Sequence, residues 1–144
     1  MPSLQNSTIW IIDTTVFLNI LDLPHSNQNR KEIFDSFKER IKNGHSFLLP
    51  YAVIVETGNT IAKLQGDQKY QFAKSFSEQV VKSINGETPW KIPNLPDKEQ
   101  LLEWLSDFPE QAQTGKGFAD HSIVKEWDLQ TKKFQGFSVS IWSL

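Results

Sequence analysis

Three acidic residues carry the chemistry that this sequence could do. Asp13 directly follows the apolar run Ile9-Trp10-Ile11-Ile12, Glu56 interrupts the apolar stretch that begins Ala52-Val53-Ile54-Val55, and Asp120 follows the Gly115-Lys116-Gly117 joint. Carboxylates brought close together repel and need a cation between them. Ligands that are all oxygen suit Mg²⁺ or Mn²⁺ rather than zinc. A divalent ion so held lowers the pKa of a bound water and can act as a Lewis acid, which is chemistry that serves hydrolysis. Each acid also has a plainer role. Asp13 fits the N-cap of a following helix, Glu56 could form a solvated pair with Lys63, on a helical face it shares with Asn59, and Asp120 could complement a helix dipole. What unites the three is placement at strand ends and helix starts along one edge of a sheet, where ligands gather in open parallel folds.

The elements that must position them alternate in type. Ile9 to Ile12 reads as a buried strand with neighbours on both faces. Thr14 to Leu21 has helical spacing at Val16, Phe17, Ile20 and Leu21. A second helix, Arg30 to Lys42, puts Ile33, Phe34, Phe37 and Ile41 on one face before Asn43-Gly44. Ser46 to Leu49 is a second buried strand, and Pro50 opens a helix from Tyr51 to Leu64. Gln68 to Asn85 is a fourth helix, with Phe72, Phe76, Val80 and Ile84 stepping by four. Thr88 to Pro96, with three prolines, can hold only a short edge strand. Asp97 to Gln113 is a helix with five acids against one lysine. Phe118 to Leu129 forms a sixth helix whose buried stripe is Ile123, Val124 and Trp127, and Phe137 to Leu144 a last strand. The expected fold is α/β: one domain over residues 1–144, three α/β/α layers, about four parallel strands and right-handed crossovers.

Composition narrows the function classes. The chain has 144 residues, 38% of them hydrophobic and 12% aromatic, enough for a core without staples. There are no cysteines, which excludes disulfides, thiolate metal sites and cysteine nucleophiles. A reducing cytoplasm fits, and neither long apolar run is a signal peptide or a membrane span. The formal charge of -2 leaves any basic groove for nucleic acid a local matter. Lys63, Lys69, Lys74 and Lys82, with Arg30 and Lys31, could flank a phosphate backbone, although solvated helix faces are the commoner cause. His25, His45 and His121 are too scattered for zinc, and His121 reads as a surface residue or a phosphate contact. Trp10 and Trp142 are expected in the core. Trp90, beside prolines, fits either the core or a partner contact. No glycine pattern cradles a nucleotide. A haloacid-dehalogenase-like site would need a second Asp where Thr15 stands.

Asp13-Thr14-Thr15-Val16 after a hydrophobic strand, Glu56 closing Val53-Ile54-Val55-Glu56, and Ala119-Asp120-His121-Ser122-Ile123 opening a late helix resemble the three acidic motifs of PIN-domain proteins. The resemblance extends in order and spacing over nearly the whole chain. It implies a metal-dependent endoribonuclease, of the kind that includes toxins of bacterial toxin-antitoxin pairs. Single-stranded RNA would be its substrate and an antitoxin its protein partner, in the cytoplasm, with a homodimer compatible. By that resemblance Asp13, Glu56 and Asp120 would be the catalytic, Mg²⁺- or Mn²⁺-binding residues, and Thr15, Asn59 and Ser143 would orient ligand or water. The family's last motif places an Asp two residues after a Ser or Thr at the end of the final strand, where this chain reads Ile141-Trp142-Ser143-Leu144. With three acids the expected site holds one ion weakly, and Asp128 or Asp107 would be the first candidates for a further ligand. The alternative is a catalytically impaired PIN-like module that binds RNA or a protein partner.

Overall fold

The computed structural model describes residues 7–144. Its centre is β1 (Thr8–Ile12), whose alternating side chains leave neither face free: Ile9, Ile11 and Ile12 are buried and Trp10 is half-buried. A strand apolar on both faces needs strands at its sides and helices above and below. β1 pairs in parallel with β2 (Ser46–Leu48), Trp10 lying opposite Phe47. On its other side it pairs in parallel with β4 (Ser138–Trp142), Ile12 lying opposite Trp142. Among the described residues β3 (Trp90–Lys91) pairs with β2 alone, giving the order β3-β2-β1-β4. It is the short edge strand that the prolines around it allow.

Among the described residues six helices connect and cover the strands: α1 (Thr14–Ile20), α2 (Arg30–Lys42), α3 (Tyr51–Ala62), α4 (Lys69–Ile84), α5 (Lys98–Gln113) and α6 (Phe118–Lys133). Asp13 caps α1, and Asp97 caps α5 in a capping box with Gln100, each satisfying backbone N–H groups that a helix start leaves open. The main core joins β1, β2 and β4 to Val16, Phe17, Ile33, Phe37, Val53 and Ile123. An aromatic group runs through it, with Phe37 4.5 Å from Phe47 and 5.2 Å from Trp142 between ring centroids. A smaller cluster of Leu18, Leu23 and Ile61 takes Phe72 and Phe76 of α4.

Several side chains fall elsewhere than their spacing suggests. Phe72 and Phe76 pack inward, but Ile84 is 70% exposed, because steps of four overshoot a helical turn by about 40° each and carry the stripe off the core. The same drift leaves Ile41 exposed while Ile33 and Phe37 are buried. On α6 the inner face is His121, Ile123, Glu126 and Gln130, whereas Val124 and Trp127 stand partly in solvent. Trp90 is 6% exposed, its indole donating to Ser83 Oγ at 2.6 Å, so it is a core residue and offers no partner contact. Trp10 remains half-buried because Arg40 covers it. Among the described residues no helix is long and apolar enough to cross a membrane.

Candidate functional site

β1 ends at Ile12, and the next residue turns its side chain back onto the start of α1. Asp13 Oδ1 accepts from the Thr14 backbone N–H at 2.8 Å, and Oδ2 accepts from Ser143 Oγ at 2.8 Å. The Asp13 N–H donates to the Trp142 carbonyl at 3.0 Å. The carboxylate is therefore fixed from two sides at the carboxyl ends of β1 and its neighbour β4. Each oxygen has one donor and retains acceptor capacity.

Glu56 comes from the second turn of α3 and is half-buried. Its Oε1 accepts from Thr14 Oγ1 at 2.8 Å. The pairing with Lys63 that the sequence allowed does not form: the ion pairs among the described residues are Arg30 with Asp22, Lys125 with Asp107 and Lys132 with Asp128. A helix-start threonine thus lies between the two acids, its backbone on Asp13 and its hydroxyl on Glu56. The sequence singled out Thr15. That residue is exposed instead, and its Oγ1 accepts from the Leu144 N–H at 3.1 Å.

Asp120 occupies the first turn of α6 and is exposed. Asn59 is exposed on α3. The structure gathers Asp13, Thr14, Glu56 and Ser143. Among the described residues, however, no group of three or more His, Asp or Glu side chains is placed to hold an ion. In kind the oxygen donors fit a hard divalent cation. In arrangement Asp13 and Glu56 are linked, and Asp120 does not form a three-acid cluster with them. Asp128 and Asp107 are engaged by Lys132 and Lys125.

His121, beside Asp120, is 2% exposed, and so is neither a surface residue nor a phosphate contact. Its Nε2 lies 2.8 Å from the Trp104 carbonyl. A carbonyl only accepts, so Nε2 carries the proton and donates. Phe108 and Phe118 flank the ring. The contact pins the start of α6, and Asp120 with it, to α5.

With this geometry in view, the chain can be set beside known proteins. No family model matches it, and no curated protein matches it. A solved structure does: the crystal structure of VapBC2 from Rickettsia felis bound to a DNA fragment from their promoter. The match has a TM-score of 0.56 at 14% identity, covering 94% of this chain and 99% of that chain. The fold is PIN-like. At that identity the likeness is one of architecture, and it extends along nearly the whole length of both chains. In this PIN-like fold Asp13 stands at the carboxyl end of the central strand β1, between neighbours β2 and β4.

One charged residue of the PIN-like core escaped the sequence reading. Glu126 is 5% exposed, and burial raises its carboxyl above the ordinary range, against the hydrogen bond from Gln130 and the pull of Lys133. Gln130 Nε2 donates to its Oε1 at 3.1 Å. Its position was the available signal, three residues after Ile123 on the inward face of α6.

Proposed function

We propose that this protein is a metal-dependent ribonuclease that hydrolyses phosphodiester bonds in single-stranded RNA, and that it works as the toxin of a toxin-antitoxin pair. The observation that carries the reading is the Thr14 link between Asp13 and Glu56 at the end of β1. It holds two carboxylates beside one polar turn, where a lone pair of acids would otherwise repel. Asp13, Glu56 and Asp120 would hold Mg²⁺ or Mn²⁺. When bound, such an ion activates water and screens the charge that develops on phosphorus. Thr14 fixes the Glu56 carboxylate, Ser143 fixes that of Asp13, and His121 sets the start of the helix that carries Asp120. Rigid support of this kind keeps acids from relaxing apart before a cation arrives.

The likeness of fold to VapBC2, a structure bound to a DNA fragment from their promoter, supports a protein antitoxin as partner and a cytoplasmic setting. A second reading has its own observation. The lack of a three-acid cluster among the described residues favours a PIN-like module that binds RNA or protein without cutting.

Incubation with mixed-sequence single-stranded RNA decides between them. The nuclease reading expects cleavage with Mg²⁺ or Mn²⁺, loss in EDTA, and loss in Asp13→Asn. RNA left intact at saturating Mn²⁺ by folded protein would reject it in favour of the binding module.

A further inference from the structure

An apolar groove of about 460 Å³ runs between the start of α3, the Pro93 to Pro96 segment, α5 and α6. Tyr51, Val55, Leu95 and Leu101 line it and are solvent-exposed, Leu95 by 60%. Of its lining residues Glu126 alone is charged. A second groove, of about 550 Å³, lies beyond the same segment and shares Pro93, Asn94, Leu95 and Glu126 with the first. One carboxyl therefore serves two hollows, beneath a strap of chain.

The Glu126 carboxylate is under-provided for its depth. Oε1 accepts from Gln130, while Oε2 takes no hydrogen bond from a described residue. Nor is Oε2 sealed away, since the fully occluded side-chain atoms without partners among the described residues are Arg40 Nη1 and Thr57 Oγ1. An acid buried this deeply without full pairing is costly unless something supplies donors. The second groove is lined also by Lys91, Asp97 and Lys133, so it is in the first that Glu126 stands as the one charge among the described lining residues.

We propose that this groove docks a segment of a partner protein presenting an arginine or lysine flanked by apolar residues. The cationic head reaches Glu126, and the apolar neighbours rest on Tyr51, Val55 and Leu101. The Glu126 carboxylate selects a basic residue, and the apolar lining selects its neighbours. The paired hollows form a track longer than one side chain, which suits a length of polypeptide. The inference stands on Glu126 and the groove alone, so its failure would leave the nuclease reading untouched.

The test uses two fluorescein-labelled peptides on the full chain, read by anisotropy. One has an arginine between leucine pairs, and the other has citrulline in its place. The expected result is at least about tenfold tighter binding of the arginine peptide, a preference that Glu126→Gln erases. Leu101→Lys, at a partly exposed position that does not endanger the fold, should weaken both peptides. Equal affinity for the two peptides, absence of binding, or a preference surviving in Glu126→Gln would overturn the proposal. So would sedimentation showing that the chain self-associates and that Leu101→Lys disperses it, because the groove would then belong to a second copy. Should Glu126→Gln fail to fold, the two peptides and Leu101→Lys still decide.

Discussion

Thr14 and Glu56 are 42 positions apart in sequence, yet the threonine hydroxyl donates to the glutamate carboxylate at 2.8 Å. This bond ties the first turn of α1 to the second turn of α3. Thr14→Val keeps the side-chain shape and deletes the donor. It should cost about 0.5–1.5 kcal/mol of stability and lower RNA cleavage by about tenfold or more through the freed Glu56. Thr14→Ser should restore both. Denaturant melts and cleavage rates measured on the same preparations check this.

Asp13 both caps α1 and stands beside the Thr14 link to Glu56, and two substitutions separate the roles. Asp13→Asn retains a capping oxygen, whereas Asp13→Ala loses it and should cost about 1 kcal/mol more. Cleavage should vanish in both. Asp120→Asn, at an exposed position, should likewise stop cleavage while changing stability by no more than about 0.5 kcal/mol. Loss of activity that always tracks unfolding would reassign these acids to structural work.

Cation binding should be visible in the melting temperature without any reference to RNA. At an ion concentration ten times the dissociation constant, mass action adds about 1.4 kcal/mol. Adding Mn²⁺ should therefore raise the melting temperature, EDTA should reverse the gain, and Asp13→Asn or Glu56→Gln should abolish it. A Mn²⁺ shift unchanged in both variants would locate the ion elsewhere.

Glu126 makes stability depend on pH with a definite sign. Its carboxyl is raised in the folded protein by burial, so the native state binds the proton more tightly than the unfolded chain. The contribution is fully present below the ordinary glutamate value and is lost as pH rises through the folded value. Glu126→Gln removes this term and keeps an acceptor for Gln130. The variant should thus gain stability over wild type at neutral pH, with the gap closing under acidic conditions. Thermal melts across that range measure it.

Arg40 lies with its guanidinium carbon 3.7 Å from the Trp10 ring centroid and 4.1 Å from that of Trp142. Its Nη1 is occluded and has no hydrogen-bond partner among the described residues, so the stack on the two indoles secures it. Arg40→Ala should cost about 1–2 kcal/mol. Arg40→Met, which refills the space without an orphan donor, should cost less. A larger loss in the Met variant would show that the cation itself dominates.

The sequence revealed what was local. The bounds of α2, the run that became β1 and Asp13 as the cap of α1 were legible, because hydrophobic period, turn residues and caps act over a few positions. α6 runs to Lys133 rather than Leu129 because nothing from Gln130 to Lys133 breaks a helix, and its terminal lysines suit the helix dipole. The Thr14 to Glu56 bond, the depth of His121 and the burial of Glu126 depend on how α1, α3, α5 and α6 meet. No window of sequence contains those meetings. Charge is a poor guide at Glu126, since a glutamate is seldom buried and only the packing of α6 shows that this one is.

The central position of β1 has a consequence for how the protein is made. Asp13 acquires its Trp142 and Ser143 partners only after those residues have been synthesised, 130 positions behind it in the case of Ser143. At ordinary translation speeds that interval is roughly 7–26 s, and closing so long a loop is itself slow. Throughout that time the growing polypeptide cannot hold Asp13 as the finished protein does. The setting of Asp13 is thus the last part of the central sheet to be completed, after synthesis has passed Ser143.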